Sequence, residues 1–266
     1  MRIRRHFTEL SVGQVHWASC GADDAPPVLL LHQTPRSWRE YEAVLPLLGR
    51  RWRAIAMDTV GFGDSDAAPW PASIERWAGV AAELLDALGV REAAVVGHHT
   101  GGVIAVEFAA ARPRLVNALV LSSTPFVNEA FRAARRERPP IDAVEPAADG
   151  SHLAALWQRR QAFYPPGRSD LLHAFVSDAL KVSGDVEGGH RAVAAYRMED
   201  RIALVTAPTL VIRATDDPFA APHAAEMAQH LPQARIVEIA GGMVPLPDQM
   251  PEAFAQAVQG FLDGLR

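Results

Sequence analysis

The sequence predicts an α/β fold built on a mostly parallel sheet of eight strands, with helices on both faces. Three observations carry this expectation. Short continuous apolar runs, such as Val28-Leu29-Leu30-Leu31 and Ala93-Ala94-Val95-Val96, read as strands buried on both sides. Longer stretches with apolar residues at helical spacing separate them, and that alternation implies right-handed crossovers within a parallel sheet. The rhythm then stops after Thr124-Pro125 and resumes at Pro208, with only helical patterns between.

Taken in order, residues 3–10 and 14–19 alternate around Ser11-Val12-Gly13 and predict a hairpin. Pro26-Pro27 introduces the third strand, 28–32, after which Ser37 is placed to cap one helix reaching about residue 48. The fourth strand, 53–58, leads into the turn Gly61-Phe62-Gly63-Asp64-Ser65. Ser73 opens a helix whose apolar side runs through Trp77, Val80, Ala81, Leu84, Leu85 and Leu88 and stops at Gly89. The fifth strand begins at Ala93; the alanine-rich helix after it ends near Arg112-Pro113, and the sixth strand spans 118–121. Helical patterns near 151–163, 169–181 and 187–198 fill the interruption. A seventh strand at 208–213, a helix to His230, an eighth strand at 234–239 and a helix over 251–265 complete the chain. Residues 1–125 and 201–266 are thus expected to form the sheet domain, with 126–200 inserted as a helical cap.

Composition narrows the function classes. With 49% hydrophobic and 21% charged residues over 266 positions, the chain has the makeup of a globular protein able to bury a large core. A net charge of −5 gives no electrostatic footprint for nucleic acid or anionic membrane, so a small molecule is the expected partner. The single cysteine, Cys20, excludes an internal disulfide and makes a reducing cytoplasm the expected compartment. The basic start Met1-Arg2-Ile3-Arg4-Arg5-His6 lacks a following apolar segment, so no signal peptide is expected, and no apolar run is long enough to span a bilayer. Oligomeric state is not encoded in any of these features.

The chemistry concentrates at Gly97-His98-His99-Thr100-Gly101. A strand-to-helix turn this sharp needs small residues on both sides, and it holds its central side chain in a strained conformation beside the free amides of a helix N-terminus. The layout matches a nucleophile elbow, G-x-Nu-x-G, with His99 in the nucleophile position. Together with His32-Gln33-Thr34-Pro35, Asp58 to Ser65, Thr215-Asp216-Asp217-Pro218 and Gly241-Gly242-Met243-Val244-Pro245-Leu246, the chain resembles the α/β-hydrolase superfamily over nearly its whole length.

The resemblance implies an acid at Asp217, with Asp216 as its neighbouring alternative, and oxyanion amides at Thr34 and Thr100. Gln33 stands where an H-G-x-P pattern has glycine, and a cis Thr34-Pro35 bond would suit that tight turn. Gly242 stands where members often carry the catalytic histidine, and His230 is the last histidine in the chain. A serine nucleophile and its base are therefore both replaced.

Three readings of His99 remain open. In the first, the ring reaches toward the space that Gly242 empties and pairs with Asp217 as a general base. Hydrolysis, or lyase, cyclase or isomerase chemistry without a cofactor, would follow. In the second, His99 is itself the nucleophile and forms an acyl-imidazole. In the third, the protein is an inactive ligand binder of the same fold. The expected pocket includes His32, Phe126, Trp157, Gly242 and Met243, roofed by aromatic residues such as Phe131, Phe163, Tyr164 and Phe175, and suits a hydrophobic small molecule. His152, His173 and His190 are cap histidines able to supply a displaced base. His32, His98, His99, Asp58 and Asp217 lie near strand ends, but their spacing matches no metal motif, so neither metal nor cofactor is expected.

Overall fold

The computed structural model describes residues 1–136 and 138–265. Its eight strands are β1 (Arg4–Leu10), β2 (Gly13–Cys20), β3 (Pro27–Leu31), β4 (Arg53–Met57), β5 (Ala93–His98), β6 (Val116–Ser122), β7 (Thr209–Ala214) and β8 (Arg235–Ile239). They form one sheet in the order β1-β2-β4-β3-β5-β6-β7-β8. Only β2 runs antiparallel to its neighbours; the pairs from β4 through β8 are parallel. An eight-stranded, mostly parallel α/β-hydrolase sheet is therefore what the chain forms.

Burial on both sides explains the apolar strand runs. On one face the sheet packs against α2 (Ile74–Ala87) and α3 (Thr100–Ala111) through Leu29, Leu31, Val95, Leu119 and Leu121. On the other, Leu30, Val96, Val120 and Ile212 meet α1 (Val44–Leu48) and α10 (Pro251–Asp263). The helix α3 is buried at every residue but its last, Ala111, which is why it shows no polar stripe.

The helix expected from Ser37 to residue 48 is instead a single 3-10 turn, Trp38–Tyr41, followed by α1. Two side-chain contacts hold this turn in place. Asp58 Oδ1 accepts from the Trp38 amide at 2.6 Å, and the buried Glu40 is turned back onto Gln33.

Between β6 and β7 lie α4 (Glu129–Arg136), α5 (Ser151–Gln161), α6 (Ser169–Ala179) and α7 (Gly188–Ala195). The first of these was not visible as a helical pattern. Leu156, Tyr164, Leu171, Leu172 and Phe175 give this segment a small core of its own. Two further helices, α8 (Ala224–Gln229) and α9 (Leu246–Gln249), sit in the connections around β8. No helix among the described residues is long and apolar enough to cross a membrane.

The strand order places the site. The connection leaving β3 runs to β4 on one side, and the one leaving β5 runs to β6 on the other. Ligands of open α/β sheets bind in the crevice outside the carboxyl ends at such a reversal. Here that crevice lies between the loop that starts at His32 and the turn at His99.

Candidate active site

The turn after β5 is tighter than any ordinary L-residue backbone favours. His99 has φ +47° and ψ −113°, a conformation that costs roughly 1–3 kcal/mol and persists only when its surroundings fix it. They do so on three sides. Its amide donates to the Ser122 carbonyl at 3.0 Å, and its carbonyl accepts from Gly102 at 2.9 Å and Val103 at 3.2 Å. A Cβ on Gly97 would strike the Gly101 carbonyl, and one on Gly101 would strike that of Leu31. Only glycine lets the start of α3 come down onto the end of β3 in this way, and that approach brings the Thr34 and Thr100 segments together.

His99 points its ring into the crevice and is 14% exposed. Its Nε2 lies 2.7 Å from Oδ2 of Asp217, a fully buried residue in the loop after β7. Asp217 uses its other oxygen locally: Oδ1 accepts from the amides of Phe219 at 2.9 Å and Ala220 at 3.3 Å. The carboxylate is thus both a turn cap and a histidine partner. Burial alone would raise its pKa, but the charge and hydrogen bond of His99 and the Phe219 amide outweigh that and leave it below its ordinary value. Asp216 is exposed and accepts from the Thr215 hydroxyl.

With Nε2 engaged, Nδ1 of His99 has no hydrogen-bond partner among the described residues. It is the nitrogen left for the cavity. The neighbouring His98 is completely buried; its Nε2 lies 2.8 Å from the Val244 carbonyl and its Nδ1 3.0 Å from Ser122 Oγ. Burial, reinforced by the charge of His99, pushes the His98 pKa down to about 3 despite the Val244 carbonyl.

The opposite lip of the crevice is the loop after β3. The Thr34-Pro35 peptide bond is cis. Gln33 is held by Glu40, whose carboxylate accepts from the Gln33 amide at 2.9 Å and from its Nε2 at 2.5 Å. Glu40 belongs to a buried charge cluster around Arg36. The guanidinium reaches Asp178 of α6 at 2.8 Å and Asp248 of α9 at 2.7 Å. The Asp248 contact lacks hydrogen-bond geometry and leaves its Oδ2 unsatisfied. Burial, joined by the charges of Glu40 and Asp178, outweighs Arg36 and raises Asp248 to about 6.

A cavity of about 470 Å³ opens over these groups. Gln33, Thr34, His99 and Thr100 form its floor. Pro218, Phe219, Pro222 and His223 line one side, and Phe131, Ile141 and Val193 from the β6–β7 segment are among the residues facing them.

Several residues expected in the pocket lie elsewhere. His32 is buried beneath it, with Nδ1 on the Gln33 carbonyl and Nε2 accepting from Thr59. Phe126 is buried in a stack on His230, with ring centroids 4.8 Å apart. Trp157 lines a different hollow with Leu153, His173 and Val176. Gly242 and Met243 do not line the cavity either. There is no vacancy at Gly242, because a Cβ there would sit 2.8 Å from Leu246 Cδ1 and 3.1 Å from Ala214 Cβ. Val244 is the residue of that loop that reaches the cavity wall.

Of the three histidines of the helical segment, only His190 lines the cavity; His152 accepts from the Ala147 amide. Asp58 is occupied by His16 at 2.8 Å and by the Trp38 and Asp64 amides. The two compact sets of potential metal ligands among the described residues, His16-Asp58-Asp64 and Asp142-Glu187-His190, include neither His99 nor Asp217.

Comparison with known proteins agrees with this architecture. The chain is 42% identical over 136 residues to epoxide hydrolase 2 of Siraitia grosvenorii, covering 49% of this chain and 39% of that one. It is 32% identical over 119 residues to the soluble epoxide hydrolase of Corynebacterium sp. strain C12, covering 45% and 41%. The matches thus span only about two fifths of those curated relatives. Among solved structures, a hydrolase from Pseudomonas aeruginosa PA01 superimposes with a TM-score of 0.80 at 27% identity, covering 97% of this chain and 98% of the other. The model of the alpha/beta hydrolase fold family matches residues 26–246, and the chain belongs to that family.

Proposed function

We propose that this protein is a hydrolase-like enzyme acting on a small, largely apolar molecule, with a His99–Asp217 dyad as general base. The observation that carries the reading is the 2.7 Å contact between His99 Nε2 and the buried Asp217, which leaves the other nitrogen of this cavity-lining ring without a partner among the described residues. Asp217 keeps the Nε2–H tautomer and stabilises the ring when it becomes an imidazolium. His99 Nδ1 then withdraws a proton from a bound water as its oxygen attacks the substrate's electrophilic carbon; the carbon's bond to the leaving oxygen breaks, and that oxygen takes up the proton held by His99. The oxygen that gains charge is held by the Thr34 and Thr100 amides, neither of which donates to another group among the described residues. General-base assistance of this kind is worth roughly 10²–10⁴-fold in rate.

Activation of water is favoured over lyase or isomerase chemistry because the relatives named above are hydrolases. Residues 126–200 serve as the cap in this reading, since α4 and α7 contribute Phe131 and Val193 to the cavity that holds His99. The test uses a panel of small epoxides and aryl esters with wild type and His99→Ala. A dyad base lowers kcat far more than it weakens binding in that variant. Equal turnover by the two proteins would reject it.

A further inference from the structure

The cavity has a second chemical character, set by its roof rather than its floor. Arg135 at the end of α4, Arg138 just beyond it and Arg160 in α5 all line it, together with His190 of α7. Two buried carboxylates back this wall. Asp142 takes a bidentate pair from Arg160, with Nε at 2.7 Å and Nη2 at 2.5 Å, and also receives His190 Nε2 at 2.7 Å. Glu187 accepts from the amides of Asp142 and Ala143. Arg160 is thereby neutralised.

Arg135 and Arg138 are left differently. The Arg135 side chain is 14% exposed; its Nη1 donates only to the Pro139 carbonyl, at 3.4 Å, and its Nη2 approaches Glu187 to 4.0 Å, too far for a hydrogen bond. Arg138 has no side-chain partner among the described residues. Of the three guanidiniums that line the cavity, Arg135 and Arg138 therefore have no carboxylate in hydrogen-bond contact among the described residues. Burial lowers the pKa of Arg135, and the charges of Arg138 and Arg160 push the same way against Glu187 and Asp142. Glu226 of α8, the one carboxylate among the described residues that lines the cavity, is exposed and accepts from Asn128 Nδ2 at 3.1 Å.

We infer that Arg135 and Arg138 form an anion subsite in the roof and that the substrate of the His99 site carries a carboxylate on an apolar body. A guanidinium presents a planar fork that matches a carboxylate, and these two forks are not taken by a carboxylate of the fold among the described residues. The apolar body lies along Phe131, Ile141 and Phe219, which orients the reacting carbon toward His99. This substrate class rests on the proposed dyad for its chemistry, but binding in the roof does not require His99.

Calorimetry separates the two. The probes are 3-phenylpropanoate and its neutral isostere 3-phenylpropanamide, titrated at low salt into wild type, His99→Ala, Arg138→Gln and the Arg135→Gln/Arg138→Gln double variant. The carboxylate binds about tenfold tighter than the amide in both wild type and His99→Ala. That advantage shrinks in Arg138→Gln, disappears in the double variant, and falls as salt is raised. Arg138→Gln removes an unpaired, exposed side chain, so it reports on the subsite even if the double variant folds poorly. Equal affinity for the two probes, no measurable binding of the carboxylate, or a carboxylate preference untouched by Arg138→Gln would overturn the subsite. A preserved preference in a His99→Ala protein that turns over as fast as wild type would overturn the dyad alone.

Discussion

His98 and His99 are adjacent, chemically identical and only 4.7 Å apart between ring centroids, yet they lead opposite lives. His98 is the last residue of β5; its ring is fully buried, and both nitrogens meet partners of the fold. His99 begins the left-handed turn, which swings its ring out to Asp217 and leaves one nitrogen uncommitted. The rings stand almost perpendicular, at 85°. The comparison teaches that backbone conformation assigns the role here. One residue with positive φ separates a packing group from a group available to a ligand.

The largest expected effect is on turnover, and it belongs to His99 and its partner. On a substrate that the wild type turns over, His99→Ala lowers kcat by about 10²–10⁴-fold with little change in binding. Asp217→Asn is a finer probe. The Asn carbonyl can keep accepting from the Phe219 and Ala220 amides, so the turn survives. Its NH₂, facing His99 Nε2, forces that nitrogen to accept, and the proton moves to Nδ1. The ring then meets the cavity as a donor, and kcat falls by roughly 10²-fold or more while the melting temperature changes little. Steady-state kinetics alongside thermal unfolding checks both variants. An active Asp217→Asn enzyme would mean that His98 and His99 differ in exposure but not in function.

Much of this contrast could be read from the sequence, and the unread part has physical reasons. Glycines at 97 and 101 around a His-His pair between an apolar strand and an alanine-rich helix specify the turn, because no other residue permits that backbone approach. The family resemblance points to Asp217, with Asp216 as its neighbouring alternative. The double duty of Asp217 as cap and partner was not legible, since one carboxylate's two oxygens are indistinguishable in a sequence. Gly242 seemed to mark a hollow because a missing side chain looks like missing volume; Leu246 and Ala214 fill it. Phe126 and Trp157 have the composition of pocket walls, but which way an aromatic ring faces depends on partners distant in sequence, here His230 for Phe126. The arginine roof was missed for a related reason. α4 has few apolar residues to reveal its period, and its one buried residue is itself an arginine, Arg132.

Stability reverses the ranking of the two histidines. His98→Leu keeps the apolar volume but strips the Val244 carbonyl and Ser122 hydroxyl of their buried partner, at about 1–3 kcal/mol for each group left unsatisfied. His99→Gly is expected to go the other way. It removes the dyad but relieves a non-glycine residue at φ +47°, so the folded state gains up to about 1 kcal/mol. Chemical denaturation of the two variants gives midpoints on opposite sides of wild type. A destabilised His99→Gly would show that the Asp217 contact contributes more than the strained backbone costs.

The smallest and most specific effect is in the pH dependence. The folded state holds His98 near a pKa of about 3, well below the ordinary histidine value, so the unfolded chain binds the extra proton first. Its contribution to stability is therefore complete above a pH of about 6.5 and is lost as pH falls toward 3, at up to about 1.4 kcal/mol per pH unit. Asp217, also depressed, acts in the same direction at lower pH. Asp248, raised to about 6, acts in the opposite one, stabilising the fold as it takes up its proton. Wild type alone cannot separate these slopes, but His98→Leu removes only the first. Unfolding free energies measured between a pH of about 6 and 4 are expected to converge for wild type and His98→Leu as acid is added. Parallel curves would mean that His98 accepts a proton in place, donating to both the Val244 carbonyl and the Ser122 hydroxyl, so that burial and the charge of His99 do not keep it neutral.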